Sequence, residues 1–220
     1  GAYCGALCGH YLVVCEGRLS MSRCKGIVAL FGFLIGCLIG CFVPAHAADR
    51  CAEYVPDVRA QHARYFGLDY PHWYGAAQLK QESRCRSNLT AFDGGMGIAQ
   101  FMPATAREVS TAIGLRLDPY RPEDAIRMQA YYMSRLHRQN PAGALWATYQ
   151  AYNGGWGNLR AEASRAGSWN RYRMYEQCRR KIIQLKSGPL DLCEVNYDYA
   201  VRIYQYAAPY RTGPDKMRYW

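Results

Sequence analysis

Apolar residues recur at helical spacing in the second half of the chain. Between Pro122 and Leu136 they are separated by three or four positions, at Ile126, Ala130, Met133 and Leu136. This spacing places them on one face of an α-helix. Glu123 and Asp124 lie in the first turn, where the partial positive charge of a helix end favours acidic side chains. The pattern therefore predicts a helix that begins near Pro122 and packs its apolar face against a core.

Further segments carry helical signals. One helix is predicted to begin near Pro71 and to hold Glu82 in its last turn, before a glycine-rich segment. A second begins with the capping residue and proline at 140–141 and ends at the glycine pair 154–155. Helices are also predicted around 172–184 and 197–206, separated by a Ser-Gly-Pro turn. Because alternation typical of strands is nearly absent after residue 48, the fold class is predicted to be all-α.

The N-terminal region has the pattern of a targeting segment. Residues 21–25 carry two positive charges, and residues 27–43 form an apolar run without a charge. The small residues Ala45 and Ala47 then occupy the two positions that a signal peptidase reads. We therefore predict a signal peptide over residues 21–47, cleavage between Ala47 and Ala48, and an exported protein in the periplasm or outside the cell.

Residues 1–47 also allow other interpretations. Residues 1–20 precede a plausible initiator, Met21, and are interpreted as a non-native or over-extended N-terminus. The apolar run is close to the lower length limit for a membrane span. Leu38-Ile39-Gly40-Cys41 resembles a lipoprotein processing box. Retention of the segment as a membrane or lipid anchor is thus the alternative to cleavage, and the mature domain is predicted to cover residues 48–220.

The charge of the chain narrows the class of partner. The full sequence has a formal net charge of +10, and removing three basic residues and one acidic residue before Ala48 leaves 24 basic and 16 acidic positions, or +8. A basic surface suits a polyanionic partner. The positive charge is scattered, and neither a long Lys/Arg run nor zinc-type cysteine spacing is present. Nucleic acid is therefore disfavoured, and no metal or cofactor is predicted.

The cysteines agree with export. Six of the ten lie before Ala48, and the mature chain keeps Cys51, Cys85, Cys178 and Cys193. An even number of cysteines outside the cytosol indicates disulfides. Four cysteines permit three pairings, of which Cys51 with Cys85 and Cys178 with Cys193 are preferred because each closes a short loop. Free buried thiols are the alternative.

Glu82 is the candidate for acid/base chemistry. The free carbonyls at the last turn of a helix, together with burial against Trp73 or Tyr152, would disfavour its carboxylate and raise its pKa. A glutamate that holds a proton near pH 7 can deliver it to a leaving oxygen. Alone, a glutamate at a helix end is usually an ordinary solvated residue, so the assignment depends on its sequence context.

Three segments supply that context. Glu82-Ser83, the segment Gly97-Ile98-Ala99-Gln100-Phe101-Met102-Pro103 and the segment Ala151-Tyr152-Asn153-Gly154-Gly155 resemble, in order and spacing, the "ES", "GLMQLMP" and "AYNGG" motifs of the soluble lytic transglycosylase (SLT) domain family. The resemblance extends over roughly residues 70–206. It implies a single goose-lysozyme-like helical domain with a substrate cleft.

The resemblance also implies a reaction. Enzymes of this family cleave the β-1,4 bond between N-acetylmuramic acid and N-acetylglucosamine in peptidoglycan without water. By analogy, Glu82 would protonate the glycosidic oxygen and then, as carboxylate, accept the proton of the muramic C6 hydroxyl, which attacks C1 to give a 1,6-anhydro product. One carboxylate would serve both steps, unlike the usual pair in glycosidases.

Further site residues follow from the resemblance position by position. The predicted substrate-binding set is Ser83, Gly97, Ile98, Gln100, Tyr152, Asn153 and Tyr199. Tyr199 resembles the late family tyrosine that bonds the catalytic glutamate, but the spacing here is one residue longer, so Tyr197 and Tyr204 remain alternatives. Trp156 is a candidate aromatic for the cleft, with core packing as the alternative. Ala99 stands where the family often has methionine.

Two other functions compete with this hypothesis. A hydrolytic lysozyme on the same fold would need a second carboxylate to orient water, and Asp93 is the candidate. A non-catalytic wall-binding protein would keep the cleft without turnover. The predicted partner is the peptidoglycan glycan strand, and the chain is expected to be a monomer. A role in a secretion, conjugation or phage-derived apparatus is compatible with the transglycosylase hypothesis, because it concerns the biological use and not the reaction.

Overall fold

The computed structural model describes residues 49–185 and 188–220. The predicted N-terminal extension and signal peptide, residues 1–20 and 21–47, lie outside these residues, so both remain predictions. Within the described part of the chain, no helix combines the length and apolarity needed to cross a membrane.

The described residues form eight α-helices, two short 3-10 helices and one β-hairpin. A 3-10 helix at Arg50–Tyr54 leads into α1 (Val55–Phe66), α2 (Trp73–Ser83), α3 (Pro103–Ile113) and α4 (Pro122–Gln139). The remaining elements are α5 (Leu145–Gly154), α6 (Trp156–Ala166), α7 (Arg171–Glu176), β1 (Ile182–Leu185), β2 (Gly188–Asp191), α8 (Leu192–Tyr206) and a 3-10 turn at Ala208–Tyr210. The all-α prediction is confirmed, with the hairpin as an addition.

Helix α2 lies at the centre of the core. All of its residues from Trp73 to Leu79 are buried, and it packs against both α1 and α8. The approach to α1 depends on Gly75, because a Cβ at this position would lie 2.7 Å from Cε1 of His62. A glycine inside a helix costs about 1 kcal/mol relative to alanine. Here it allows the helix that ends at Glu82 to pack closely.

Helix α4 has the bounds and the buried face that its apolar stripe predicts. Ile126, Ala130, Met133 and Leu136 are all buried, and the helix packs against α1 and α5. The sequence analysis made no prediction for α1, α3 and α6. These helices bury few side chains each, with only Val58 and His62 fully covered on α1, so their apolar pattern is weak.

The prediction that α5 begins at residues 140–141 is wrong. Asn140 instead stabilises a turn, in which its side chain accepts from the amide of Ala142 (2.9 Å) and donates to the carbonyl of Ala144 (2.8 Å). Helix α5 begins at Leu145, whose amide donates to the carbonyl of Arg218 (2.9 Å). Free amides at the start of a helix need acceptors. The C-terminal segment supplies them, and the local sequence could not show this.

The predicted helix over residues 172–184 is correct for its first five residues and wrong beyond Glu176. Helix α7 ends at Glu176, and the chain then enters an antiparallel hairpin in which Ile182 pairs with Asp191 and Leu185 with Gly188. Asp191 fixes the end of this hairpin, because its carboxylate pairs with Arg180 and accepts from the amide of Cys193 at the start of α8. Helix α8 accordingly begins at Leu192, five residues before the predicted start.

The structure joins the cysteines in the pairs preferred from the sequence. Cys51 and Cys85 connect the first 3-10 helix to the segment that follows Glu82, over a separation of 34 residues. Cys178 and Cys193 connect the end of α7 to the first turn of α8, over a separation of 15 residues. On the chain-entropy model, such cross-links stabilise the folded state by roughly 3 to 4 kcal/mol each.

Candidate functional site

Glu82 lies in the last turn of α2, as predicted. The helix ends at Arg84, which adopts a left-handed conformation (φ 53°), and Cys85 follows in the same region (φ 58°). Non-glycine residues rarely occupy this region and lose about 1 kcal/mol or more in doing so. The disulfide from Cys85 to Cys51 holds the backbone directly after Glu82 in place.

Tyr199 on α8 contacts the Glu82 carboxyl directly. Its hydroxyl donates to Oε1 of Glu82 and accepts a hydrogen bond from Nε2 of Gln78 (3.1 Å). The two alternative tyrosines are engaged elsewhere: Tyr197 donates to Glu162 (2.8 Å), and the ring of Tyr204 lies against Tyr219. Of the three late tyrosines, Tyr199 therefore contacts Glu82.

A chain of buried amides extends behind this pair. Gln129 on α4 donates from Nε2 both to the carbonyl of Gly75 (3.1 Å) and to Oε1 of Gln78 (2.8 Å). Because the Gly75 carbonyl can only accept, it fixes which atom of the Gln129 amide is the donor, and this in turn fixes the orientation of Gln78. Gln78 then donates to Tyr199, whose own proton points at Glu82. We call Gln129, Gln78, Tyr199 and Glu82 the polar chain.

Burial raises the pKa of Glu82, the hydrogen bond from Tyr199 lowers it and the negative charge of Asp93 raises it, and together these effects raise the pKa to about 8. The carboxyl is thus protonated at neutral pH. Burial and the charge of Glu82 also raise the pKa of Tyr199 well above its usual range, so its hydroxyl remains a donor. Because Oε1 accepts from Tyr199, the carboxyl proton lies on Oε2.

Two hydrogen bonds join the three motifs at adjacent carbonyl groups. The hydroxyl of Ser83 donates to the carbonyl of Ile98 (2.8 Å), and the hydroxyl of Tyr152 donates to the carbonyl of Ala99 (2.7 Å). The charge of Glu82 also contributes to the raised pKa of Tyr152, which places this ring near the carboxyl. The end of α2, the loop at 97–101 and the end of α5 therefore form one continuous site.

Several of the predicted substrate-binding residues make structural contacts in the loop beside Glu82. Ser83 and Ile98 are buried, so neither side chain is open to a ligand. Gly97 (φ 68°) is required by the chain itself, because a Cβ there would lie 1.8 Å from the carbonyl oxygen of Pro119. Gln100 (φ 53°) is half-buried and donates to the carbonyl of Gly97 (2.7 Å). These residues shape the loop beside Glu82.

Asn153 is the exposed member of the third motif. Its Nδ2 donates to Oδ1 of Asn196 on α8 (3.0 Å), which the sequence analysis did not identify. Gly154 makes this contact possible, since a Cβ there would lie 2.5 Å from Nδ2 of Asn196. The glycine of the motif thus brings the end of α5 against α8, and the remaining donor of Asn153 is available to a ligand.

Two aromatic predictions are not met. Trp156 stacks on Trp169 (5.7 Å between ring centroids) and packs on the core. Trp73 begins α2, at the end of the helix opposite Glu82, and donates from its indole nitrogen to Asp215 (3.1 Å). Of the two rings expected to bury Glu82, only Tyr152 is near it.

Gln78 and Gln129 could not be identified from the local sequence, for a physical reason. A glutamine in a helix usually faces solvent, and nothing in the local pattern of α2 or α4 shows that two of them meet in the core. Both are fully buried. The signal in the sequence is a polar residue at a position where the helical spacing of apolar residues places the core. A buried amide at such a position needs a hydrogen-bonding partner, so it indicates a buried polar network.

Comparisons with known proteins agree with this geometry. The family model described as Transglycosylase SLT domain matches residues 74–174. No curated protein matched the chain. Among solved structures, the 70 kDa soluble lytic transglycosylase of Escherichia coli is similar at 21% identity and a TM-score of 0.53, over 73% of this chain and 26% of that one. Its complex with bulgecin A is similar at 21% identity and a TM-score of 0.53, over 77% and 28%.

An inactive glutamate-to-glutamine mutant of the lytic transglycosylase Slt from Pseudomonas aeruginosa is also similar, at 25% identity and a TM-score of 0.51, over 77% of this chain and 24% of that one. The chain spans about a quarter of the length of these structures. The SLT domain model thus matches slightly less than half of the chain, and the fold of the described residues is similar to the lysozyme-like helical fold of these lytic transglycosylases.

Proposed function

We propose that this chain belongs to the SLT domain family and is a peptidoglycan lytic transglycosylase in which Glu82 acts first as acid and then as base. The cleaved bond is the β-1,4 linkage between N-acetylmuramic acid and N-acetylglucosamine, and the product carries a 1,6-anhydro ring. The observation that carries the proposal is a half-buried carboxyl at the junction of the three motifs, hydrogen-bonded by Tyr199 and with its pKa raised to about 8 by burial.

The reaction uses the two oxygens of Glu82 differently. Oε2 carries the proton and delivers it to the glycosidic oxygen as the bond to C1 breaks. The resulting carboxylate accepts the proton of the muramic C6 hydroxyl, whose oxygen attacks C1, so that Glu82 ends protonated again. Tyr199 stays bonded to Oε1 in both steps and stabilises the carboxylate between them. Positioned proton transfer of this kind contributes about 10²- to 10⁴-fold to a rate.

Hydrolysis on the same fold is the second candidate, and Asp93 is the observation that favours it. Its charge acts on Glu82, and its side chain is exposed in the loop beside the site. A carboxylate there could orient water towards C1. However, Oδ1 of Asp93 already accepts from the amide of Gly95 (3.2 Å), which favours a role in shaping the loop.

The decisive experiment compares wild type with Glu82→Gln on purified sacculi, with mass spectrometry of the released muropeptides. We expect wild type to release anhydro products, which are one water lighter than the reducing products of hydrolysis. We expect the variant to lose activity by at least about 10²-fold, because glutamine can neither donate nor accept the transferred proton.

Glu108→Gln is the matched control, since Glu108 is exposed on α3 and its ion pair among the described residues is with Arg135 (2.8 Å). It should retain wild-type activity. Reducing products from wild type would replace the proposal with the hydrolytic function. Full activity of Glu82→Gln would remove Glu82 from the mechanism, and a folded wild type that binds strands without cleaving them would support the wall-binding function.

The proposed substrate requires a location outside the cytoplasm. We therefore propose that the signal-peptide interpretation of residues 21–47 is correct and that the enzyme opens the wall locally, with an envelope-spanning apparatus as the partner of that activity. N-terminal sequencing of the mature protein tests the first part. A chain that begins at residue 48 is expected, whereas an intact or lipid-modified N-terminus would indicate an anchor.

A further inference from the structure

A polar groove of about 600 Å³ adjoins the catalytic residues. Asp93 and Asn153, which belong to the region around Glu82, contribute to its lining. The other side is lined by residues of α6, of α8 and of the segment between Cys178 and Lys181. The volume is typical of a binding site for a small ligand or for one segment of a polymer.

Three cations line this groove, namely Arg165, Arg179 and Lys181. Arg165 is held by two hydrogen bonds to the carbonyl of Gln177 (3.0 and 2.8 Å). Arg179 and Lys181 are exposed, and within residues 49–185 and 188–220 neither forms an ion pair. Their charges are therefore available to a ligand.

The acidic residues of the groove do not cancel this charge. Glu162 is buried and accepts from the hydroxyl of Tyr197 (2.8 Å), and burial raises its pKa. Asp93 belongs to the loop beside Glu82. The side of the groove formed by Arg179 and Lys181 is thus predominantly positive.

The cationic side is also fixed in position. The disulfide between Cys178 and Cys193 joins its start to α8, and the amide of Leu192 donates to the carbonyl of Lys181 (3.1 Å). Arg179 and Lys181 lie between these two attachments. This segment follows residue 174, where the family match ends, so it is a feature of this chain outside the matched domain.

We propose that this groove binds the carboxylates of the stem peptide that muramic acid carries. The inference rests on the proposed function. In a peptide-bearing strand the lactyl carboxyl of muramic acid is tied up in an amide bond, so the sugars are uncharged and give three cations no partner, whereas the stem peptide is the anionic part of the polymer. Placing its carboxylates against Arg179 and Lys181 would position a peptide-bearing muramic acid beside Glu82. Complementary charges of this kind contribute to selectivity.

The test is a comparison of two substrates: glycan strands with stem peptides, and the same strands from which an amidase has removed them. We expect Arg179→Glu/Lys181→Glu to raise KM for peptide-bearing strands by about tenfold, with kcat unchanged. KM for the bare strands, which keep only the lactyl carboxylate of each muramic acid, should change much less. The wild-type preference for peptide-bearing strands should shrink in high salt, because exposed charges are screened.

Arg173→Glu/Arg202→Glu is the matched control, because it makes the same change in net charge at exposed positions outside the groove. It should leave the ratio of the two KM values at its wild-type value. An equal rise in KM on both substrates, or no rise on either, would overturn the proposal.

A binding measurement separates this inference from the proposed function. Fluorescently labelled disaccharide-tetrapeptide and the peptide-free disaccharide are titrated into Glu82→Gln, with and without Arg179→Glu/Lys181→Glu. We expect the groove variant to bind the tetrapeptide form about tenfold more weakly and the disaccharide equally well. Equal binding of the tetrapeptide form by both proteins would refute peptide binding in the groove, even if cleavage occurs as proposed. Weaker binding of the tetrapeptide form by the groove variant would support it, even if wild type released reducing products.

Discussion

The polar chain and the cationic groove both belong to the region around Glu82 but are built on different principles. Gln129, Gln78 and Tyr199 are buried, and each hydrogen bond has a direction fixed by the one before it. Arg179 and Lys181 are exposed side chains whose long-range charge matters more than their geometry. The first arrangement is suited to controlling proton transfer, and the second to selecting a substrate.

Each of these two regions is held by one of the disulfides. Cys51–Cys85 is buried on both sides and fixes the left-handed backbone that directly follows Glu82. Cys178–Cys193 fixes the segment that carries the groove cations. Although both bonds stabilise the fold, they should therefore affect different kinetic constants, and this difference allows the comparison to be tested.

The largest expected effect comes from removing each disulfide. Cys51→Ser/Cys85→Ser should lower the free energy of unfolding by about 4 kcal/mol and Cys178→Ser/Cys193→Ser by about 3 kcal/mol, because the first closes the longer loop. The first variant should also reduce kcat, since the helix end at Glu82 loses its support. The second should raise KM for peptide-bearing strands and leave kcat unchanged.

Denaturant unfolding and steady-state kinetics of the two variants measure these effects, with wild type under reducing conditions as the reference for loss of both bonds. Equal effects on kcat from both variants would show that the two regions are not separate. Unchanged unfolding of either variant would show that its disulfide does not stabilise the protein.

The next effect concerns the contact between Tyr199 and Glu82. Tyr199→Phe should reduce kcat by about 10- to 100-fold, because a hydrogen bond to a charged group is worth about 1.5 to 3 kcal/mol. The same bond lowers the pKa of Glu82, so its removal should raise that pKa above about 8. Activity that depends on the protonated acid is lost as pH rises through this pKa, and the alkaline limb of the pH–rate profile should therefore move to higher pH.

Tyr197→Phe is the control for this prediction, because Tyr197 lies two residues away on α8 and donates to Glu162. Its pH–rate profile should coincide with that of wild type. An alkaline limb that stays in place in Tyr199→Phe would show that the tyrosine does not control the protonation of Glu82.

The sequence predicted the parts of the fold that local pattern determines. The period of α4 and the glycine-rich segment after Ser83 sufficed to place one long helix and the helix end at Glu82. The start of α5 could not be predicted, because its first amides bond to residues more than 70 positions away. The hairpin was missed because four-residue strands carry little pattern, and a disulfide and the side chain of Asp191 hold their ends.

The predictions for the site also divide into those that the sequence supported and those that it could not supply. The motifs identified Glu82, and the family resemblance identified its contact with Tyr199. This contact could be predicted because a tyrosine hydroxyl is a suitable hydrogen-bond donor to a carboxyl group. They gave Ser83, Ile98 and Gly97 as substrate contacts, although these residues hold the loop together. A motif shows which residues a site requires but not whether each requirement concerns the ligand or the protein. The polar chain shows the same limit, because its members come from three helices.

The smallest expected effect concerns the buried amides. Gln78→Met should reduce kcat by about three- to tenfold, since Tyr199 loses the donor that directs its proton towards Glu82. It should also lower the free energy of unfolding by about 1 to 3 kcal/mol, because one N–H of the buried Gln129 amide loses its acceptor. The double variant Gln78→Met/Gln129→Met removes both partners and should recover most of the stability but none of the kcat. Recovery of both stability and kcat would show that the polar chain acts only through packing. Recovery of stability alone would show that the polar chain orients Glu82.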